Sequence, residues 1–386
     1  MWGWDSNGTT IACDVHIEMV WPARMIGASA TGRRTATRPR VSIGLPVHNG
    51  GRFVAEALES ILAQTYTDFE VIISDNASAD QTMRICQAYA AADKRISYSR
   101  TDRNLGAARN FNRVFRLSRG EYFKWAAADD VLEPTFLERC VQVLDEDPTV
   151  VLAYTRVTNL DERNVVREGT FHYHLADLRT PAAYDRFRQM FLHASVYPVF
   201  GLIRSGVLRR TRLFQAHIGA DDCLLVDLVL RGKFGEVPER LLRLRARPGG
   251  YTSDLTGIKR SGGREGPAQA QWWDPQCKAH LVLPYWKRLW VHFGTAARAN
   301  VAPEQKLLIG AFLCRVANWW RPQLIRELRE AVGQSLRGRS ATDQASSCEL
   351  RQAGPRRLDR TTASSAREPS SMSDESVASY ALQGHG

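Results

Sequence analysis

From Val41 onward, short apolar runs alternate with segments of helical periodicity. The runs RVSIGLPV, FEVIISD, RISYSR and EYFKWAA have the length and the β-branched or aromatic content of strands, and they end at Val47, Asp75, Arg100 and Ala127. Alternating strands and helices are typical of βαβ units on a parallel sheet. We therefore predict an α/β fold with a mostly parallel twisted sheet flanked by helices.

Polar loops follow three of these predicted strands. The first strand runs into His48-Asn49-Gly50-Gly51, the second ends at Asp75, and the fourth leads to Asp129-Asp130. In open α/β sheets, ligands bind beyond the carboxyl ends of the strands. Chemistry is therefore expected in these loops.

Beyond the doublet, the periodicity predicts a mixture of helices, strands and a long loop. The predicted segments are a helix to about Glu146, strands at Val150–Thr155 and Val199–Ile203, a helix at Asp221–Leu230, a loop at Gly257–Gln271, and helices at Ala279–His292 and Pro303–Glu330. We expect a flexible leader at 1–39, a sheet domain at 40–255, a helical appendage at 256–332 and a disordered tail at 333–386.

Composition excludes several classes of protein. The 386 residues include seven scattered cysteines with no CxxC pair, which argues against a disulfide framework or a zinc site. No apolar run reaches the roughly 18 residues of a spanning helix, and the first thirty residues lack a signal-peptide core. The expected location is the cytoplasm, with peripheral attachment to the inner membrane face.

The positive charge is concentrated late in the chain. The net charge is +11, and residues 231–330 hold eighteen Lys and Arg against eight Asp and Glu. Six of the ten tryptophans fall in this segment, namely Trp272, Trp273, Trp286, Trp290, Trp319 and Trp320. Such a mixture suits an anionic membrane surface. A buried tryptophan core under a solvated basic face is an equal alternative, and nucleic acid, the rival partner, is not expected.

Taken together, the segments VSIGLPVHNGG, FEVIISDNASADQT, RNLGAARNFN and EYFKWAAADDVLEP resemble the nucleotide-sugar domain of family 2 glycosyltransferases with the GT-A fold. The resemblance covers about Val41 to Tyr154, and continues more weakly to about Ser253. It implies a nucleotide-diphosphate sugar donor, most naturally a UDP-sugar, and an inverting transfer.

The resemblance assigns the nucleotide-binding residues. Asp75 matches the aspartate that binds uracil, although alone it reads as a turn residue. The residues matching the loops around base, ribose and diphosphate are Pro46, Val47, His48, Asn49, Asn104 and Arg109. Arg109 is equally compatible with an exposed surface arginine.

The doublet matches the metal-binding motif of the family. Asp130 is expected to hold Mg²⁺ or Mn²⁺, which prefer carboxylate oxygens, and Asp129 to lie near the ribose. Ala128 stands where the motif has its first acid. Two acids near the start of a helix would explain the doublet without a metal.

Candidates for the catalytic base and for diphosphate-binding arginines lie later in the chain. Asp221 aligns with the acidic catalytic base, and Asp222 is the fallback, whereas acids at a helix N-terminus need no catalytic role. In RARPGGYTS, Arg245 and Arg247 match diphosphate-side positions, with Arg247 replacing the usual histidine. Arginine cannot act as a metal ligand, so Arg247 can supply only positive charge.

We therefore predict an inverting glycosyltransferase that moves a sugar to a saccharide or lipid-linked acceptor in cell-surface polysaccharide assembly. The alternatives are a catalytically inactive GT-A domain that binds nucleotide or saccharide, and a nucleotidyltransferase. Phosphate-loop, dinucleotide, zincin and serine-hydrolase motifs are absent from the sequence.

Overall fold

The computed structural model describes residues 38–166, 178–192, 196–246, 267–276 and 283–334. The expected leader and tail lie outside the described residues, apart from residues 38, 39, 333 and 334. The strands are β1 Val41–Val47, β2 Phe69–Asp75, β3 Ile96–Arg100, β4 Tyr122–Trp125, β5 Val131–Leu132, β6 Val150–Leu160, β7 Leu202–Arg204 and β8 Lys233–Arg245. The helices are α1 Val54–Leu62, α2 Thr82–Ala92, α3 Ala107–Leu117, α4 Phe136–Glu146, α5 Ala183–Leu192, α6 Ser205–Leu208, α7 Ala220–Arg231, α8 Pro267–Trp273, α9 Pro284–Arg298, α10 Pro303–Trp319 and α11 321–334.

One mixed sheet of eight strands organises the described chain. Its strand order is β3-β2-β1-β4-β7-β6-β8-β5. Strands β3, β2, β1 and β4 are parallel, and so are β6 and β8, whereas β7 is antiparallel to both β4 and β6. The predicted fold class, a mostly parallel sheet flanked by helices, is confirmed.

The parallel half of the sheet contains the predicted βαβ units. Strands β1 and β2 are buried along their whole length, as expected for strands covered by helices on both faces. Their register pairs Val47 with Asp75, so both strands end at the same level. The loops after β1 and β2 therefore emerge side by side.

The C-terminal helices pack on the sheet domain and on one another. Phe187 and Phe191 of α5 meet Phe312 of α10 with ring centroids 5.9 and 5.6 Å apart, and Trp320 lies 5.6 Å from Phe191. Helix α9 contacts α7. Among the described residues, no helix is both long and apolar enough to cross a membrane.

Candidate active site

Asp75 closes strand β2 and is fully buried. Its Oδ1 accepts the backbone N–H of Ser78 at 2.8 Å, and its Oδ2 accepts the Tyr98 hydroxyl at 2.8 Å. The Arg100 guanidinium lies 3.5 Å from the same Oδ2. The carboxylate thus shapes the loop that follows β2, and a base would have to share one of these contacts to reach it.

Asn76, which the sequence reasoning missed, ties this loop to the segment before α3. Its amide donates to Asn104 Oδ1 at 2.8 Å, and its Oδ1 accepts the backbone N–H of Leu105 at 2.8 Å. Asn104 Oδ1 also accepts the backbone N–H of Gly106 at 2.8 Å. An asparagine directly after the predicted strand FEVIISD was the signal that could have identified Asn76, which the structure shows to be buried.

His48 is held in one tautomer by its neighbours. Its Nδ1 lies 2.8 Å from the carbonyl oxygen of Asn76, which can only accept, so Nδ1 carries the proton. Nε2 then accepts from the amides of Asn49 and Asn104 at 3.4 and 3.3 Å. The exposed ring of His48 therefore lies against Asn49 and Asn104, where the loops after β1 and β2 meet. The side chains of Asn49, Asn76 and Asn104 are called the asparagine platform.

The other β1 residues contribute mainly backbone. Pro46 and Val47 are buried in the sheet, and the Val47 carbonyl accepts the backbone N–H of Asn76 at 2.8 Å. Asn49 has φ 51°, and its Oδ1 accepts the backbone N–H of Ala79 at 2.8 Å. The loop after β1 is therefore fixed against the loop after β2 by one main-chain contact and by the Asn49 side chain.

The doublet lies just beyond strand β4, and both carboxylates are partly buried. Asp130 Oδ1 accepts the backbone N–H of Arg245 at 3.0 Å. Burial, and then the adjacent Asp129 carboxylate, raise the pKa of Asp130 to about 8. Two adjacent carboxylates that disfavour each other's charge are stabilised by a divalent cation.

The doublet fits a hard divalent cation as an open site. No group of three or more His, Cys, Asp or Glu is placed to hold a metal within the part of the chain that the structure describes. Mg²⁺ commonly takes one or two protein carboxylates and fills its shell with substrate phosphates and water. The residues present therefore suit a metal that arrives with a phosphorylated substrate.

Arg245 contacts both residues of the Asp129-Asp130 doublet, and its side chain has no exposed area. Its Nε donates to the Asp129 carbonyl at 2.9 Å, and its Nη2 lies 2.7 Å from Glu56 Oε2. Its Nη1 donates to Asn164, and the guanidinium stacks 4.5 Å above the Phe53 ring. This geometry favours a role in positioning the loop that carries Asp129 and Asp130 over the predicted diphosphate contact. Arg247 lies outside the described residues.

Arg109 occupies the first turn of α3, where it is exposed. A cation at a helix N-terminus opposes the helix dipole unless an anion is bound there. Gly106, with φ 84°, precedes this helix because a Cβ would lie 2.5 Å from the Trp273 carbonyl. Arg109 is thus available to a phosphate at the start of α3.

Asp221 and Asp222 open helix α7, but their surroundings differ. Asp222 Oδ2 is 2.7 Å from Arg288 Nη2 of helix α9. Asp221 is only 7% exposed, and burial followed by the Asp222 charge raises its pKa to about 7. A carboxyl poised near neutrality has the properties of a general base, whereas a carboxylate paired with arginine does not.

The segment that leads into α7 packs on the sheet domain through Phe214. Phe214, a few residues before α7, exchanges two hydrogen bonds with Asn112 of α3, at 2.8 and 3.0 Å. Its ring centroid lies 4.9 Å from that of Trp125, the last residue of β4. The segment that precedes α7 therefore packs against α3 and the end of β4.

Known proteins share this architecture. Residues 42–212 match the family model for glycosyl transferase family 2. Chondroitin synthase of Escherichia coli is 37% identical over 143 residues, which are 36% of this chain and 20% of that protein. Glycosyltransferase GlyG of Streptococcus pneumoniae is 30% identical over 136 residues, covering 35% of this chain and 43% of GlyG. The matches thus span less than half the length of these two relatives.

Solved structures agree on the fold. Staphylococcus aureus TarS 1-349, solved in complex with UDP, aligns over 75% of this chain and 79% of that one, with 15% identity and a TM-score of 0.52. The complex of the same protein with UDP-GlcNAc aligns over the same shares, at 16% identity and a TM-score of 0.52. Residues 42–212 therefore match a glycosyl transferase family 2 domain, and the fold is of the GT-A type.

Proposed function

We propose that the protein is an inverting glycosyltransferase that uses a nucleotide-diphosphate sugar, specifically a UDP-sugar, as its donor. The observation that carries this proposal is that the loops after β1 and β2 and the Asp129-Asp130 doublet after β4 lie at one edge of the sheet. Asp221, a carboxyl with a raised pKa at the start of α7, is the proposed base. TarS, which shares the fold, was solved with UDP and with UDP-GlcNAc.

Each part of the donor has a matching surface. The His48 ring and the asparagine platform offer a face and amide groups to a base and ribose. The exposed Arg109 offers a cation to the diphosphate. A divalent cation held by Asp129 and Asp130 would neutralise charge on the diphosphate leaving group.

Asp221 is the group that receives a proton. The acceptor hydroxyl attacks the anomeric carbon, its proton passes to the Asp221 carboxylate, and a new C–O bond forms. The bond between the anomeric carbon and the diphosphate oxygen breaks on the opposite face, which inverts the configuration. The pKa of about 7 allows Asp221 to be largely ionised slightly above neutral pH and still basic enough to take the proton.

The acceptor is proposed to be a saccharide or a lipid-linked saccharide at a membrane surface. On α9 and α10, Trp290 is 77% exposed and Leu307 is 75% exposed, within the basic segment 231–330. Trp273, in contrast, is buried against Phe214. The tryptophans therefore divide between a core role and an exposed surface that suits the interface of an anionic bilayer.

Two assays test these proposals. UDP-, GDP- and dTDP-sugars are screened with Mn²⁺ for slow release of the nucleoside diphosphate, and we expect release from a UDP-sugar. Tight UDP binding without any turnover, with acceptors supplied, would instead favour the inactive binding module, and release of pyrophosphate from a nucleoside triphosphate would favour a nucleotidyltransferase.

Co-sedimentation tests the membrane surface. The protein should pellet with anionic liposomes at low salt and be released as salt rises, because each basic residue near the surface contributes about 1 kcal/mol. A Trp290→Ser/Leu307→Ser variant should pellet less than the unmodified protein. Val166→Ser, which changes an exposed apolar residue after β6, is the control. Equal sedimentation of all three proteins would contradict this attachment.

A further inference from the structure

The start of helix α7 carries two adjacent carboxylates, and helix α9 supplies an arginine to one of them. Arg288 Nη2 lies 2.7 Å from Asp222 Oδ2, and the two side chains are only 17% and 18% exposed. The backbone N–H of Asp222 donates to Asp221 Oδ1 at 3.0 Å. The Asp222 carboxylate is thus paired with an arginine, whereas the Asp221 carboxylate is held by a backbone N–H.

Arg288 is built into its place by its surroundings. Its guanidinium carbon lies 5.2 Å from the Trp320 ring centroid and 5.9 Å from that of Tyr285. Gly219, the residue before α7, has φ 78°, and a Cβ there would stand 2.9 Å from Arg288 Cδ. The chain therefore makes room for this arginine at the point where the catalytic helix begins.

We propose that Arg288 is a positioning residue for the transfer reaction, holding Asp222 as a spectator carboxylate so that Asp221 alone acts as the base. This inference rests on the proposed function. It gives a function to the C-terminal helices, which lie outside the segment 42–212 that matches the family model. Arg288 of α9 offsets the Asp222 charge next to Asp221 at the start of α7.

The charged groups around Asp221 support this reading. Burial lowers the pKa of His217, and burial followed by Arg288 lowers that of His292 to about 3, so both imidazoles are neutral at pH 7. The Cys223 thiol is also neutral, because burial raises its pKa. The exposed Lys287 is screened by water, which leaves the Asp222 and Arg288 charges as the opposing influences on Asp221.

These influences predict opposite effects of two substitutions. In Arg288→Met, the Asp222 charge is no longer offset, so the pKa of Asp221 should rise. In Asp222→Asn, the like charge disappears while Arg288 remains, so the pKa of Asp221 should fall. In the double variant both influences are removed, and the pKa should return close to its value in the unmodified protein.

The experiment is the pH profile of kcat for sugar-donor turnover, with the donor that reacts fastest in the screen above. We expect Arg288→Met to move the acidic limb up by about one pH unit, which lowers kcat about tenfold at pH 6. Asp222→Asn should move the acidic limb to lower pH. The kcat of Arg288→Met/Asp222→Asn should stay within about threefold of that of the unmodified protein. The kcat of Lys287→Met, the control on the same helix, should stay within about twofold. UDP affinity should be unchanged throughout.

The proposal is overturned if Arg288→Met keeps the original profile, or if the folded double variant is as impaired as the single one. Should Arg288→Met fail to fold, Asp222→Asn and the double variant, which leaves no unpaired charge, decide the question. Carboxyl ¹³C NMR, with the Asp221 resonance assigned by its loss in Asp221→Asn, follows the same pKa changes without turnover. Shifts in the NMR titration with no activity on any donor would refute the proposed function and leave the electrostatic linkage standing.

Discussion

Replacing Arg245 with methionine should lower the stability of the folded protein more than it lowers the affinity for UDP. The buried guanidinium contacts the Asp129 carbonyl, Glu56 and Asn164, and stacks on Phe53. Methionine fills part of the volume but leaves these groups without their cation. Since Glu56 is 39% exposed, water can compensate it in part, whereas the carbonyl loses its donor.

The size of the effect follows from these contacts. Breaking a buried, charge-assisted network of this kind costs about 3–5 kcal/mol. For a domain of this size, each kcal/mol lowers the Tm by about 2–4 °C, so a fall of about 6–20 °C is expected. Arg243, two residues earlier on β8, pairs with Glu133 at 2.5 Å with a side chain 45% exposed, and Arg243→Met should cost no more than about 1 kcal/mol.

Thermal unfolding and urea titration of both variants provide the assay, with UDP affinity measured in parallel at a temperature where both are folded. A marked loss of stability in Arg245→Met but not in Arg243→Met is the expected result. If the two variants unfold together and Arg245→Met loses only UDP affinity, Arg245 is a diphosphate ligand, as the sequence resemblance implies, and its assignment to positioning the loop that carries Asp129 and Asp130 is wrong.

Three further predictions address the site directly. Asp221→Asn should lower kcat by about 10² or more while UDP affinity is retained, and Asp222→Asn should keep most activity; the reverse pattern would show that the base is Asp222. Asn76→Ala removes two partly buried hydrogen bonds that hold the loop before α3 and should weaken UDP binding at least about tenfold by calorimetry; unchanged affinity would contradict this expectation. The raised pKa of Asp130 means that the folded state binds the proton more tightly, so this carboxyl lowers stability as pH rises from about 4 to about 8. Asp130→Asn should therefore raise the Tm of the metal-free protein more at pH 8.5 than at pH 4, and an equal shift at both values would refute this account.

Sequence reasoning identified the elements whose physical signals are local. Strands β1 and β2 end where predicted, at Val47 and Asp75, because their apolar runs stop abruptly at polar loops. The predicted strand Val199–Ile203 was wrong in its first half, where a 3₁₀ turn, Tyr197–Phe200, precedes the short strand β7. Pro198 supplies no N–H to a ladder, and a Cβ at Gly201 would stand 2.4 Å from the Ala153 carbonyl.

Other features depend on tertiary contacts and leave little local trace. The predicted loop at Gly257–Gln271 contains the start of helix α8, which is fixed by the stacking of Trp273 on Phe214. The burial of Arg245 beneath the doublet results from contacts with residues more than eighty positions away. For the same reason, sequence reasoning could align Asp221 and Asp222 but could not tell which of them Arg288 would pair with.

The central claim is that the edge of the sheet binds a nucleoside diphosphate through a cation held by Asp130. Isothermal titration of UDP, with Mn²⁺ and then with chelator, into the unmodified protein and a folded Asp130→Ala variant tests it most directly. We predict that UDP binds the unmodified protein in the presence of Mn²⁺, that chelator weakens this binding at least about tenfold, and that Asp130→Ala shows the weak affinity under both conditions. UDP binding that is equally tight in the variant, or equally tight in chelator, would contradict the account.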